Sequence, residues 1–288
     1  MELIATVIDR GMGIFSRVES KLDNGTIRLG VDLERGGTIT YLAASGGDAN
    51  LINSHDFGRM VQQSYYAGPD NYGEPAPPWT NFPWNPVGAG DRYGHPAPVL
   101  EHANDGTTIY TKTAPLQWAL DAVPAECVFE QWIVLDENSV RVRNRLTNDR
   151  SDRTEYHAYT QELPAAYTNV PYVRLVTYDG EAPYTNGPLT EHTGQPPAWA
   201  RWSAPEHWAA LVDDSGYGLG VFNAAASQFI GGFADGVGAA ATGYIAPTRD
   251  EILAWNCVYE YEYALIVGTV DEIRAYAVGR RDPSGAAR

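Results

Sequence analysis

The stretch that decides the fold runs from residue 16 to residue 42 and reads SRVESKLDNGTIRLGVDLERGGTITYL. The polar turn at 23–25, Asp-Asn-Gly, separates two strand-like runs, because Asn-Gly supplies the positive φ angles that a tight hairpin turn requires. A second turn at 35–37, Arg-Gly-Gly, leads into another such run over 38–42. The chain is therefore predicted to begin as an antiparallel meander.

Composition extends this prediction to the whole chain of 288 residues. Glycine (29), proline (19), tyrosine (18) and tryptophan (8) are frequent, which favours short strands joined by turns. No linker-like change in composition divides the chain, so we predict one domain over residues 1–288. The expected architecture is all-β, a large antiparallel β-sandwich of two packed sheets with long loops rich in aromatic residues and proline.

Strand signals recur along the chain, and a proline-rich stretch interrupts them at 68–98. Further strands are predicted at 107–113, 116–123, 127–135, 139–146 and 154–163, and a short helix at 270–278. The stretch 68–98 carries too many prolines for a strand and too many aromatic residues for a disordered linker. We expect a long ordered loop over one mouth of the fold.

The formal net charge of −16 bears on the partners of the chain. It repels polyanions, so we expect no nucleic-acid partner and favour neutral sugars over acidic polysaccharides. No apolar run is long enough to cross a membrane, and the absence of a signal-peptide pattern predicts a cytoplasmic protein. Metal-ligand spacings and phosphate-binding loops are absent from the sequence, so we expect no cofactor. Whether the chain forms a homo-oligomer stays open.

Hydrogen-bonding and aromatic side chains crowd into residues 50–72. A sugar presents hydroxyls at its ring edge and a weakly apolar C–H face, so this mixture of side chains suits a sugar site. Asp56 is the candidate catalytic carboxylate of this stretch. The candidate substrate ligands are His55, Arg59, Gln63, Tyr65 and Tyr66, with Trp79 and Trp84 in the following loop as stacking platforms. The alternative is a loop whose polar groups satisfy one another and whose tyrosines pack on a core.

A second group of candidates lies on the predicted strand 154–163. Period-two alternation places His157, Tyr159 and Gln161 on one face, and such a polar row is uncommon outside a cleft. His157 is a candidate catalytic residue, and Tyr159 and Gln161 are candidate substrate ligands. Glu162 points to the other face unless a bulge before residue 164 re-aims it, and it is a further candidate acid or base.

A third group lies near the carboxyl end of the chain, where Glu260 and Glu262 share one strand face. Residues i and i+2 of a strand lie about 6.5–7 Å apart, a separation at which one carboxyl group can act as acid and the other as base in an inverting glycosidase. Both are therefore candidate catalytic residues, and a solvated strand face is the alternative. His207, at the start of another predicted strand, is a candidate substrate ligand.

Several short motifs follow one another in a characteristic order. They are Gly36-Gly37-Thr38-Ile39, Asn50-Leu51-Ile52-Asn53, Gly58-Arg59 and His157-Ala158-Tyr159. In this order the chain resembles the galactose mutarotase-like superfamily. The resemblance implies a large supersandwich whose concave sheet holds a sugar, with Arg59 gripping the substrate, His157 donating a proton, and Glu260 or Glu262 acting as base. The chain departs from the family pattern after Arg59, where it continues Met-Val-Gln-Gln.

These residues lead us to expect a carbohydrate-active enzyme. The leading hypothesis is a glycoside hydrolase or transglycosylase that acts on a neutral oligo- or polysaccharide through paired carboxylates. The alternative is an aldose 1-epimerase-like sugar isomerase that uses His157 and a glutamate. A polysaccharide lyase and a sugar-binding protein without catalysis also stay open. The long aromatic loop favours a substrate longer than a monosaccharide.

Overall fold

The computed structural model describes residues 5–8, 15–53, 58–72, 82–192, 200–234 and 242–280. Within these ranges the chain forms twenty strands and one helix. They are β1 (Ala5–Ile8), β2 (Phe15–Asp23), β3 (Ile27–Asp32), β4 (Thr38–Ala44), β5 (Gln62–Ser64), β6 (Pro86–Val87), β7 (Val99–Asn104), β8 (Thr108–Thr113), β9 (Leu116–Gln117), β10 (Cys127–Asp136), β11 (Ser139–Asn148), β12 (Tyr159–Thr168), β13 (Arg174–Thr177), β14 (Thr190–His192), β15 (Ala200–Ser203), β16 (Trp208–Val212), β17 (Tyr217–Phe222), β18 (Gln228–Ala234), β19 (Thr242–Glu251), β20 (Val258–Thr269) and α1 (Val270–Gly279). The all-β prediction is confirmed.

The strands form three antiparallel sheets in the part of the chain that the structure describes. The first has the order β1-β2-β3-β4, as the predicted opening meander requires. The second has nine strands in the order β14-β13-β16-β17-β20-β11-β10-β8-β7, and the third has seven in the order β15-β18-β19-β12-β5-β6-β9. The nine-stranded and seven-stranded sheets bury their facing sides in one hydrophobic core, which is the arrangement of a β-sandwich.

Aromatic rings join the two large sheets at the centre of the core. Tyr65, which follows β5, is fully buried, and its ring lies 5.1 Å from that of Phe129 on β10 and 6.3 Å from that of Tyr261 on β20. Burial of such rings contributes a large share of the stability of a core. The odd-numbered residues of β20 thus face inward and its even-numbered residues before residue 264 face outward.

The Gly-Gly turn between β3 and β4 is wedged between the two large sheets. Gly36 and Gly37 have φ angles of +63° and +67°, which residues with a Cβ rarely adopt. A Cβ on Gly36 would lie 1.8 Å from the carbonyl oxygen of Gly88, and one on Gly37 would lie 2.7 Å from the side chain of Thr111. Gln131 Nε2 on β10 donates to the Gly37 carbonyl at 3.0 Å. The positive φ angles and the close contacts therefore explain why glycine occupies positions 36 and 37.

The middle strand of the seven-stranded sheet, β12, is irregular. Its pairing with β19 and with β5 shifts register after Glu162. Leu163 and Ala166 both pack into the inner core, whereas Ala165 and Tyr167 belong to a smaller apolar cluster on the outer face. A bulge inserts an extra residue and so reverses the alternation beyond it. Here the bulge places Tyr167 on the same face as Glu162.

The helix α1 covers part of the outer face of the nine-stranded sheet. It begins with a capping box between Thr269 and Glu272. Its Arg274 forms a two-pronged ion pair with the fully buried Glu206, with N–O distances of 2.9 and 2.7 Å. Burial acts to raise the pKa of Glu206, but hydrogen bonds from Arg274, Trp208 and the backbone N–H of Tyr184 outweigh it and lower the pKa.

Removing one partner of this buried pair is expected to destabilise the protein strongly. Glu206→Gln leaves the Arg274 guanidinium buried without a carboxylate, which should lower the free energy of unfolding by about 3–5 kcal/mol. The matched control is Glu191→Gln, because Glu191 pairs with Arg174 where both side chains are 34% exposed; it should cost less than about 1 kcal/mol. Urea denaturation of both variants tests this, and equal losses would contradict it.

Candidate functional site

A cavity of about 510 Å³ opens on the outer face of the seven-stranded sheet. Strands β5, β6 and β12 form its floor, and the segments around residues 58, 82 and 118 form its walls. Its lining combines aromatic, hydrogen-bonding and charged side chains, among them Arg59, Gln62, Ser64, Tyr66, Phe82, Asn85, Trp118, Glu162 and Tyr167. This composition is that of a site for a polar ligand with an apolar face.

Of the described residues that line this cavity, Glu162 is the one that carries a carboxyl group. It is 6% exposed, and two tyrosine hydroxyls hold its carboxyl group. Tyr66 donates to Oε2 at 3.2 Å, and Tyr244 of β19 donates to Oε1 in a short hydrogen bond. The Tyr244 ring in turn stacks on that of Tyr167, at 4.6 Å between centroids. The two donors fix the orientation of the carboxyl group toward the cavity.

Burial dominates the proton affinity of this cluster. It raises the pKa of Glu162 above its ordinary value of 4.5, and the hydrogen bonds from Tyr244 and Tyr66 offset only part of that rise. Burial and the neighbouring Glu162 raise the pKa of Tyr66 and of Tyr244 well above 10.0. Burial thus extends the pH range in which the Glu162 carboxyl group holds a proton above 4.5, and both tyrosine hydroxyls donate hydrogen bonds to it.

Hydrogen bonds to the backbone and between side chains hold the amide and hydroxyl groups on the cavity floor in place. Gln62 Nε2 donates to the carbonyl of Gly58 at 2.8 Å, and its Oε1 accepts from the N–H of Ala89. Asn85 Nδ2 donates to the Ser64 hydroxyl at 3.0 Å. These side chains form a rigid polar surface, because hydrogen bonds within the protein fix their orientation before a ligand binds.

A second cavity, of about 270 Å³, adjoins the first and shares Glu162 and Tyr66 with it. Its other lining residues include Tyr159, Thr160 and Arg201. Arg201 Nη2 donates to the Thr160 hydroxyl at 3.2 Å. The Glu162 carboxyl group therefore stands at the boundary between two adjoining spaces.

Four of the candidates from the sequence lie in these cavities. Arg59, Tyr66 and Glu162 line the larger one, and Tyr159 lines the smaller one. Tyr159 donates its hydroxyl to Asp70 at 2.6 Å, and burial together with Asp70 raises the pKa of Tyr159. Their expected roles in catalysis and substrate binding stay predictions.

Other expected substrate ligands are buried in the protein interior. The Gln63 amide donates to the Glu130 carbonyl and accepts from the Tyr65 hydroxyl. Gln161 is fully buried and binds the backbone of Tyr66 through both its amide oxygen and its amide nitrogen. Trp84 is 1% exposed and packs in the main core. The structure thus places the side chains of Gln63, Tyr65, Gln161 and Trp84 within the sheets and not in these cavities, and their expected contact with substrate stays a prediction.

The late glutamates lie on the other sheet. Glu260 and Glu262 belong to β20 of the nine-stranded sheet and are exposed on its outer face. Glu260 pairs with Arg145 at 2.5 Å, and Glu262 lines a separate cavity of about 630 Å³ beside α1. They therefore lie on a different sheet from Glu162, and their expected role as acid and base stays a prediction.

Two of the three candidate histidines, His157 and His207, are described by the structure, and neither lines a cavity around Glu162. His157 precedes β12, is exposed, and stacks on Tyr159 with 4.4 Å between ring centroids. His207 occupies the turn before β16, where its Nδ1 lies 3.0 Å from the carbonyl oxygen of Ala226. Burial lowers the pKa of His207. His157, the expected proton donor, therefore does not lie beside Glu162. His55, Asp56 and Trp79 lie outside the described residues.

Several residues of the site were not among the sequence candidates. Tyr244 and Tyr167 contact or flank Glu162, and Phe82 and Trp118 add aromatic surface. The regular alternation of a strand would have placed Tyr167 on the inner face. The register shift that turns it outward has no local signal other than Pro164.

One group of potential metal ligands occurs in the described residues, away from these cavities. Ligand atoms of Asp91, His95 and Asp121 lie within 4.8 Å of one another. Asp91 Oδ1 accepts the N–H groups of Tyr93 and His95, and its Oδ2 accepts that of Ala122. The carboxylate is therefore engaged in shaping its own loop.

Comparison with solved structures identifies the fold. A provisional aldose 1-epimerase from Escherichia coli K12 matches with a TM-score of 0.55 and 14% identity, over 88% of this chain and 99% of that one. A galactose mutarotase-like protein from Lactobacillus casei ATCC 334 matches with a TM-score of 0.55 and 11% identity, over 86% of this chain and 99% of that one. The chain thus adopts the galactose mutarotase-like fold that its motifs predicted.

No protein-family model matches the sequence. A search of curated proteins likewise finds no match. Among the described residues, no helix is both long and apolar enough to cross a membrane.

Removing the Glu162 charge is expected to stabilise the protein in a pH-dependent way. As pH rises above 4.5 the unfolded chain ionises at this position while the folded chain still holds its proton, so stability falls until the raised pKa is passed. Glu162→Gln abolishes this loss, which amounts to about 1.4 kcal/mol for each pH unit between the two pKa values. Its melting temperature should exceed that of the wild type at pH 8 and equal it at pH 4.

Glu260→Gln is the matched control, because Glu260 is exposed. It should change the melting temperature little at either pH. If Glu162→Gln raises the melting temperature equally at pH 4 and pH 8, the pKa of Glu162 is not raised in the folded protein.

Proposed function

We propose that the protein interconverts the anomers of a reducing sugar, as an aldose 1-epimerase does, with Glu162 as its proton-transfer group. The observation that carries this proposal is a buried carboxyl group with a raised pKa, held by Tyr66 and Tyr244 at the floor of a cavity with aromatic walls. The names of the structures that share its fold support the same class of reaction.

The reaction requires proton transfers at two neighbouring oxygens. Glu162 removes the proton of the anomeric hydroxyl, the bond between C1 and the ring oxygen breaks, and the ring oxygen takes a proton from the Tyr66 hydroxyl. Glu162, now protonated, returns that proton to Tyr66 through the hydrogen bond between them. Rotation about the C1–C2 bond and reversal of these steps yields the other anomer, so atoms and charges balance.

Aromatic and polar groups around Glu162 suit the binding of a sugar ring. Trp118 and Phe82 offer apolar faces to its C–H groups, and Ser64 and Asn85 add polar groups to the same lining. Arg59 lines the same cavity. The resemblance to the galactose mutarotase-like superfamily implies that this arginine binds the substrate. The net charge of −16 favours a neutral sugar.

Glycosidic hydrolysis, the leading hypothesis from the sequence, is less well supported. Hydrolysis by paired carboxylates needs two carboxyl groups across one cleft. Of the described residues that line the larger cavity, Glu162 is the one with a carboxyl group, whereas Glu260 and Glu262 lie on the other sheet. The epimerase-like alternative requires one base and a proton donor, which Glu162 and Tyr66 supply.

The first test is the rate of anomeric exchange, measured by NMR exchange spectroscopy on a panel of neutral reducing sugars. The wild type should accelerate exchange of at least one sugar, and Glu162→Gln should lower kcat by about 10²–10⁴-fold, since it removes the proton acceptor. Tyr66→Phe should lower kcat by about 10²-fold.

A matched tyrosine–glutamate pair on the other sheet supplies the controls. Tyr110 donates to Glu130 at 2.9 Å on the outer face of the nine-stranded sheet, so Tyr110→Phe and Glu130→Gln should leave kcat within about twofold of the wild type. Release of new reducing ends from oligosaccharides, without acceleration of anomeric exchange, would overturn the proposal in favour of hydrolysis.

Loss of the Tyr244 hydroxyl should move the pH dependence of the reaction. The hydrogen bond from Tyr244 lowers the pKa of Glu162, so Tyr244→Phe should raise that pKa further. Because Glu162 must be ionised to accept a proton, the acid limb of the plot of kcat/KM against pH should shift to higher pH. An unchanged or acid-shifted limb would show that another group controls this limb.

A further inference from the structure

The outer face of the seven-stranded sheet carries a row of polar side chains at one register. Direct pairing connects Ser203 on β15 to Gln228 on β18, Gln228 to Thr248 on β19, Thr248 to Glu162, and Glu162 to Ser64 on β5. Directly paired residues of antiparallel strands project to the same face. The row therefore crosses the sheet perpendicular to its strands, with Glu162 on the middle strand.

The two cavities lie on opposite sides of Glu162 across the sheet, beside this row. The larger one covers β5 and β6 and ends at Trp118 beyond β9. The smaller one extends from Tyr159 on β12 to Ile230 on β18 and Arg201 on β15. Because both share Glu162 and Tyr66, they form one groove across the sheet, which we call the cross-strand groove.

The cross-strand groove is longer than one sugar ring on the β15 side of Glu162. Neighbouring strands lie about 4.8 Å apart, so the three strand intervals from β12 to β15 span about 14 Å. A monosaccharide in the larger cavity would leave this arm of the groove empty. A ligand that fills it must extend beyond the reacting ring.

The side chains on the β15 arm are suited to hydroxyl groups. Gln228 and Ser203 are exposed and belong to the polar row, which lies on the same face of the sheet as the smaller cavity, and an amide and a hydroxyl both donate and accept hydrogen bonds. Of the described residues that line the smaller cavity, Arg201 is the cation, and the carboxylate of Asp250 lies close to it, because Thr160 Oγ1 accepts from Arg201 and donates to Asp250 at 2.6 Å. The arm is therefore near neutral and fits an uncharged sugar better than an anionic one.

We propose that the substrate is a neutral oligosaccharide with a free reducing end. Its reducing residue occupies the larger cavity beside Glu162, and the preceding residues cross β19 and β18 to contact Gln228 and Arg201. This inference rests on the proposed anomeric reaction at Glu162, and it adds that residues remote from the reacting ring select the substrate by its length.

The test compares monosaccharides with linear trisaccharides of the same sugar. Glucose, galactose and mannose are each measured beside their α-1,4- and β-1,4-linked trisaccharides, by anomeric exchange at the reducing residue. For the accepted sugar, kcat/KM should be about tenfold higher for the trisaccharide, which corresponds to two or three added hydrogen bonds. The double variant Arg201→Ala/Gln228→Ala should remove this advantage and leave the monosaccharide value within about twofold.

The control is Arg141→Ala/Arg143→Ala, which removes two arginines from the outer face of the nine-stranded sheet and should change neither value. Equal kcat/KM for monosaccharide and trisaccharide, or an equal loss for both in the Arg201→Ala/Gln228→Ala variant, would overturn the proposal.

Equilibrium binding separates this inference from the proposed reaction. Calorimetric titration of Glu162→Gln with the same sugars reports binding without turnover. Tighter binding of the trisaccharide that depends on Arg201 and Gln228, without anomeric exchange by the wild type, would support the groove and contradict the reaction. Exchange by the wild type without any preference for the trisaccharide would support the reaction and contradict the groove. Binding of neither sugar would contradict both.

Discussion

The register shift in β12 is the constraint on which the site depends. Before it, Glu162 faces outward in direct register with Thr248 and Ser64. Beyond it, Tyr167 also faces outward and stacks on Tyr244, the tyrosine that holds the Glu162 carboxyl group. A strand with strict alternation would turn Tyr167 into the core, and the support behind Tyr244 would be lost. The bulge thus assembles a tyrosine–carboxyl cluster on a sheet that otherwise buries apolar side chains on its inner face.

The site also places a buried carboxyl group where it opposes stability. Burial raises the pKa of Glu162, so ionisation of this group weakens the folded state. The protein uses the opposite arrangement at Glu206, where two hydrogen bonds from Arg274 keep a buried carboxylate charged. One carboxyl group is therefore paired with an arginine beside α1, whereas the other accepts hydrogen bonds from two neutral tyrosine hydroxyls, Tyr66 and Tyr244.

Local sequence signals predicted three of the strands well, at 107–113, 127–135 and 139–146, whereas the strand predicted at 116–123 is limited to Leu116–Gln117. The alternation of Val140 and Val142 with Arg141 predicted 139–146 as a strand with one buried face, and β11 has that pattern. The alternation assumed from residue 154 failed, because β12 begins at Tyr159. Spacing alone suggested Glu260 and Glu262 as a catalytic pair. Which sheet holds the cavity around Glu162 depends on contacts between distant segments, and local spacing does not report these.

The most direct measurement is the titration of the Glu162 carboxyl group by infrared difference spectroscopy, wild type minus Glu162→Gln, with and without sugar. The account predicts that the band of the protonated carboxyl group persists above pH 4.5 and that a bound neutral sugar shifts its midpoint. A midpoint at or below pH 4.5 that no sugar changes would contradict the claim that Glu162 is a proton-transfer group in a sugar site.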